Sequence, residues 1–182
     1  ERDIDLLAPM AEKQQAVVTV SITTLDHGIA RTLEPRAASP TRRLQTVRRL
    51  AEAGIPVGVN VAPVIPFVTD QDLEHIVEAA VEAGATAASY IVLRLPWEVS
   101  PLFQEWLQTH FPDRAERVMN RVRDMRGGKE YDSTFGKRMH GEGIWADLIR
   151  QRFQKASRRL GLTARASRFG VLDASRFRRP LS

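Results

Sequence analysis

Three apolar, β-forming runs, Val17 to Thr24, Val57 to Pro66 and Ala87 to Pro96, recur at near-regular intervals in the first half of the chain. None is followed by a tight hairpin turn. Each ends in a polar or proline-broken loop, and helical patterns fill the intervals, so the runs read as neighbouring parallel strands. Alpha/beta folds collect their chemistry at the carboxyl ends of such strands. Here those ends are Ser21, Thr23, Thr24, Pro63, Ile65, Pro66, Arg94 and Pro96.

The joints between helix and strand repeat. Ala51-Glu52-Ala53-Gly54-Ile55-Pro56-Val57 is echoed by Val81-Glu82-Ala83-Gly84-Ala85-Thr86-Ala87, and the glycines read as left-handed helix caps. Ser39-Pro40 reads as a cap followed by a first-turn proline. The helix it opens buries Leu44, Val47 and Ala51 and keeps Arg42, Arg43, Arg48 and Arg49 wet. Thr69-Asp70-Gln71-Asp72 resembles a capping box before a stripe of Leu73, Ile76, Val77 and Ala80. A first helix carries Ile4, Leu7 and Met10 on one side, with no strand before it.

Three parallel strands cannot close a barrel, which needs about eight. The chain is therefore expected to be the second part of something larger, leaving an apolar sheet edge and face that would drive association. The alternative is a small independent three-layer domain with further strands that the pattern does not reveal.

The chain has 182 residues, 43% of them hydrophobic, and no apolar run that would span a bilayer, so a cytoplasmic location and no membrane partner are expected. Cysteine is absent, which excludes disulfides, a thiolate nucleophile and any iron–sulfur cluster held by these residues alone. Residues 1 to 113 hold nine Lys or Arg against fifteen Asp or Glu, and residues 114 to 182 hold eighteen against seven, so the net charge of +5 divides into −6 and +11. The basic part would attract phosphates without reading sequence, which makes a nucleic-acid-associated binding module one function class. Solvated arginine-rich helix faces are the plainer account of the same charge.

Three segments follow from these patterns. Residues 1–98 hold the strands. Residues 99–162 form a helical extension, opened by a Ser100-Pro101 cap, with Leu102, Phe103, Trp106 and Leu107 as one apolar face and Val118, Val122 and Met125 as another. Within it the stretch 126–143 holds five glycines among aromatics and charges and reads as a loop laid over another surface. A last helix runs from Ile144 to about Leu160, and residues 163–182 read as a basic, disordered tail. His27, His75, His110 and His140 lack metal-ligand spacing, and no GxSxG, GxGxxG or Walker loop occurs.

Together, Thr23-Thr24-Leu25-Asp26, Thr32-Leu33-Glu34-Pro35-Arg36-Ala37-Ala38-Ser39-Pro40, Val61-Ala62-Pro63-Val64-Ile65-Pro66 and Leu93-Arg94-Leu95-Pro96 resemble the carboxy-terminal half of bacterial radical S-adenosylmethionine (SAM) proteins related to spore photoproduct lyase. Arg126-Gly127-Gly128-Lys129, Tyr131-Asp132-Ser133, Phe135-Gly136 and Arg138-Met139 add the subgroup's tail signature. The resemblance covers Glu1 to about Leu162. It implies a partial (βα)₆ TIM-like barrel whose first strand precedes a CxxxCxxC loop holding a [4Fe–4S] cluster, which cleaves SAM reductively to methionine and a 5′-deoxyadenosyl radical. No cysteine is present here, so the resemblance implies a fragment that needs the other half of the protein as partner and is inactive alone.

On that resemblance the three strands are the fourth, fifth and sixth of the barrel. Ser21 and Thr23 then share a face and offer hydroxyls to the ribose or carboxylate of SAM. Pro63 and Ile65 would meet adenine through apolar or backbone contact. Tyr90 and Arg94 share a face that looks either into the barrel or into the helix layer. Arg94 would take a carboxylate of methionine or substrate, or an ion pair with Glu34 or Glu98. Glu34, Arg36 and Arg138 would touch substrate or order loops.

Overall fold

The β-branched run at the chain's centre forms β2 (Val57–Val64), flanked by β1 (Val18–Ile22) and β3 (Ala87–Val92), all parallel in the order β1–β2–β3. The computed structural model describes residues 1–162, 172–175 and 178. Among the described residues the helices are α1 (Ile4–Glu12), α2 (His27–Leu33), α3 (Pro40–Glu52), α4 (Leu73–Glu82), α5 (Val99–His110), α6 (Pro112–Asp124) and α7 (Ile144–Arg159). The architecture is an open α/β sheet of parallel strands with a helical carboxy-terminal extension, consistent with part of a barrel.

Strand register divides the sheet into two unlike faces. Val18, Val20 and Ile22 align with Val57, Val59 and Val61, and Val61 aligns with Tyr90. This apolar face is covered by α3, which packs on β1 and β2, and by α4, which packs on β2. Val47 and Leu50 of α3 and Ile76, Val77 and Ala80 of α4 meet it in one core. The alternate positions make the other, open face, where Thr19, Ser21, Asn60 and Ser89 form a polar stripe beside Gly58, Ala87 and Ile91. The valines of β2 are turned toward the helices, so the open face shows the polar stripe together with the half-buried Ile91.

Several local expectations hold. Ser39 Oγ accepts from Arg42 N at 3.3 Å, with Pro40 in the first turn. Gly54 and Gly84 have φ of +74° and +97°, as a left-handed cap requires. Others are corrected. Thr69 does not cap α4; it is buried and its hydroxyl bridges Ile65 N and Pro63 O, while a 3₁₀ turn, Asp70–Asp72, precedes the helix. Helix α5 starts at Val99, and Ser100 donates to Glu130 instead of capping. Leu102 and Met10 are exposed, since α5 and α1 turn Phe103 and Ala11 inward in their stead. Helix α2 is missing from the sequence reading: Asp26 Oδ1 caps it by accepting from Ile29 N at 2.9 Å.

The extension wraps the sheet. Trp106 Nε1 of α5 donates to Thr32 O of α2 at 3.1 Å, and Arg114 Nη1 of α6 donates to Phe67 O at 2.8 Å, so α5 reaches α2 and α6 reaches the loop that follows β2. The glycine-rich segment 126–143 contains no helix or strand and lies against β3, with Val92 N donating to Met139 O at 2.9 Å. Helix α7 packs beside α4, and its Phe153 ring rests 4.8 Å from Tyr90. The tail expected to be disordered falls largely on residues 163–171, 176–177 and 179–182, which lie outside the described residues. Among the described residues no helix is long and apolar enough to cross a membrane.

Candidate functional site

Beyond β1 the chain spends its threonines on holding strand ends together. Thr23 Oγ1 has Ala62 O at 2.9 Å and Glu34 Oε2 at 3.0 Å, sharing its proton between them. Glu34 also receives Arg43 Nη2 at 3.1 Å, and the same guanidinium donates to Ser21 O at 2.8 Å and Ala38 O at 3.0 Å. Arg43 therefore lies inward rather than on the wet side of α3, its side chain only 14% exposed. Next door, Asp72 accepts from Thr24 Oγ1 and from Leu25 N. Thr23, Thr24 and Thr69 are all buried. This network fixes the loops after β1 and β2, and it leaves Thr23 and Glu34 committed to the protein.

Other hydrogen-bonding groups stand on the open face of the sheet. Ser89 Oγ donates to Asn60 Oδ1 at 2.9 Å, which orients the amide and turns its N–H donors away from that bond. Ser21 and Thr19 are exposed on the same face. A groove of about 790 Å³ opens there against Thr19, Asn60 and Ser89 and continues around β3 to α7, where Arg150, Phe153 and Arg158 line it. His140 borders it with its ring edge-on to Tyr90 at 4.9 Å. Burial, and then the Arg126 and Arg150 charges, lower the His140 pKa, favouring the neutral ring.

The remaining sequence-proposed residues are dispersed. Ile65 packs fully buried in the core while its N–H donates to Thr69, whose hydroxyl donates in turn to Pro63 O. Tyr90 is turned to the apolar face against Phe153, away from Ser21 and Asn60. Arg94 pairs with neither Glu34 nor Glu98; it reaches Tyr131 Oη at 3.2 Å and Met139 Sδ at 3.7 Å. Arg36 is exposed. Arg138 stacks 5.5 Å from the exposed Phe135 ring. The structure thus brings Ser21 into one polar face with Thr19, Asn60 and Ser89, three residues that sequence reasoning passed over. The signal available was Asn60, an amide in the middle of a valine run.

These residues do not fit an iron–sulfur cluster. The chain lacks cysteine, and among the described residues no three His, Asp or Glu side chains gather as a metal site. The open face does fit a polar, multi-hydroxyl ligand, since its serine, threonine and amide groups are uncovered and only partly paired.

Residues 1–80 match the family model described as the Radical SAM superfamily. The chain is 39% identical over 88 residues to an uncharacterized protein of Acidianus two-tailed virus, covering 46% of this chain and 29% of that one. It is 30% identical over 118 residues to uncharacterized proteins of Mycobacterium bovis and Mycobacterium tuberculosis, covering 64% of this chain and 35% of each of those. The chain thus spans about a third of the length of the curated relatives it matches. No solved structure matches. Sequence match and open parallel sheet agree on one relationship: the first 80 residues are similar to the Radical SAM superfamily, through the part that forms β1 and β2.

Proposed function

We propose that these residues supply the SAM-facing part of a radical SAM enzyme. The observation that carries the reading is the uncovered polar face of a parallel sheet, Thr19, Ser21, Asn60 and Ser89, within and beside the stretch that matches the superfamily. Ser21 and Asn60 would hold the ribose or amino-acid end of SAM, and the Thr23–Glu34–Arg43 network would keep the adjoining loop in place. The chemistry of that class is reductive cleavage of SAM, and the thiolates of the [4Fe–4S] cluster it uses would come from outside these residues. The partner is then a CxxxCxxC-bearing polypeptide, joined to or associated with this one, and these residues alone are inactive in the reaction. Kinship to the spore photoproduct lyase subgroup is part of the proposal, supported by the way its tail signature, 126–139, lies along β3.

The test is calorimetric titration with S-adenosylhomocysteine, a stable stand-in for SAM. Each hydrogen bond lost should weaken binding about fivefold, on the order of 1 kcal/mol, so Ser21→Ala and Asn60→Ala should each show that loss. Unchanged affinity in both variants would remove the open face from the site.

A second reading is favoured by the groove itself, where Arg150 and Arg158 stand beside Phe153 and His140. Cationic and aromatic groups side by side suit single-stranded nucleic acid. In that case oligonucleotide binding falls steeply with salt and is lost on Arg158→Ala and Phe153→Ala.

A further inference from the structure

Two arginines meet at the carboxyl end of β3 with no carboxylate to neutralise them. Arg126 is 4% exposed; it donates from Nη2 to Leu93 O at 2.9 Å and from Nη1 to Lys137 O at 3.1 Å, while its Nε is buried without a partner. Leu93 is the residue before Arg94, so both guanidinium groups share one end of the strand. Arg94 Nε is likewise buried and unpartnered, and one of its two contacts is to a thioether, Met139 Sδ, a weak acceptor. Its other contact, Tyr131 Oη, accepts from Arg94 and so keeps its own proton available to a ligand. Among the described residues neither arginine has a carboxylate oxygen within 4.0 Å, and Asp132 acts on Arg126 only from beyond that range. Burying a charge such as that of Arg126 costs several kcal/mol unless an anion answers it.

Arg152 makes the contrast within the same molecule. Hydrogen bonds to Glu74 raise its pKa despite burial. Burial, and then repulsion from Arg94, lower that of Arg126. The first is a completed ion pair. The second is held by carbonyl oxygens, Leu93 O and Lys137 O, and makes no ion pair within 4.0 Å among the described residues.

We infer that Arg94 and Tyr131, backed by the buried charge of Arg126, form an oxyanion site that takes a phosphate group of a substrate lying over the end of β3. A dianion answers two neighbouring positive charges better than a single carboxylate does, and its oxygens suit the Arg94 guanidinium and the Tyr131 phenol as donors. Gly127 and Gly128, with φ of +63° and +85°, let the chain double back after Arg126 so that Tyr131 meets Arg94. The inference is independent of the SAM reading.

The test titrates the 182-residue chain with inorganic phosphate and pyrophosphate, and separately with S-adenosylhomocysteine, following heat and melting temperature. Both phosphates should bind and raise the melting temperature, and Arg94→Gln should weaken them at least tenfold while leaving S-adenosylhomocysteine binding unchanged. Tyr131→Phe, which deletes one hydroxyl, should weaken phosphate about threefold to tenfold with the fold intact. No phosphate binding, or equal binding to wild type and both variants, overturns the inference. So does an Arg94→Gln loss confined to S-adenosylhomocysteine, which would give this arginine to the methionine carboxylate.

Discussion

Arg152 of α7 grips Glu74 of α4 with two parallel hydrogen bonds, Nε to Oε1 at 2.7 Å and Nη2 to Oε2 at 2.6 Å. Planar, two-pronged contact is the strong form of such a pair, and a third bond from Nη2 to Asp70 O at 2.9 Å fixes its orientation. It fastens the carboxy-terminal extension to the helix layer of the sheet. Arg152→Ala should lower unfolding free energy by about 1–3 kcal/mol in urea titrations, because Glu74 and Asp70 are left half-buried without their cation. A change indistinguishable from zero would mean that α7 is held by its apolar contacts alone.

The same pair sets a pH dependence. Burial pushes the Glu74 pKa up, but the hydrogen bonds and charge of Arg152 outweigh it, so the net value is below the ordinary 4.5. A carboxylate depressed by folding contributes stability above its unfolded pKa and loses it as pH falls through the folded one. The stability gap between wild type and Glu74→Gln should therefore be constant from neutrality down to about pH 4.5 and shrink below it. A gap that widened on acidification would reverse the sign assigned here.

The two cap glycines should respond unequally. Both have positive φ, which penalises alanine by roughly 1 kcal/mol. At Gly84 a Cβ would also fall 2.6 Å from Ala51 Cβ, whereas nothing lies within 4 Å of the corresponding point at Gly54. Gly84→Ala should thus cost about 2 kcal/mol or more and Gly54→Ala about half of that, as read by thermal melting. Equal losses would show that helix α3 yields freely at Ala51.

Arg43→Ala should loosen the loop that follows α2. Three acceptors, Ser21 O, Glu34 and Ala38 O, lose their donor at once, and Glu34 is left with Thr23 alone. A loss of about 2–3 kcal/mol is expected, with new proteolytic cuts between residues 34 and 39. Protection equal to wild type in that segment would remove Arg43 as its anchor.

What the sequence made legible was what neighbouring residues decide. Alternating valines in β2, the Ser39-Pro40 start of α3, the glycines at 54 and 84 and the glycine-rich stretch over β3 all carry local signals, and each is found in place. What it hid was settled by partners distant in sequence. Thr69 looked like a cap until Pro63 O claimed its hydroxyl, and Arg43 read as solvent-facing until Glu34 and Ser21 folded against it. Helix α2 is seven residues long and buries none of them, so it leaves no stripe to read. The polar face was half visible: Ser21 was marked, but Thr19, Asn60 and Ser89 align only once the register is known. Arg94 stands out in the sequence as a charge at a strand end, whereas Arg126 joins it only because the loop returns to the strand and donates to Leu93 O.

The central claim is that a SAM-type ligand rests on the open face of the sheet. Amide chemical-shift mapping during titration with S-adenosylhomocysteine tests it most directly, since it locates contact even when affinity is weak. The largest shifts are expected at Thr19, Ser21, Asn60 and Ser89, with little change on the helix-covered face at Val59 and Ala80. Shifts concentrated elsewhere, or none up to saturating ligand, would contradict it.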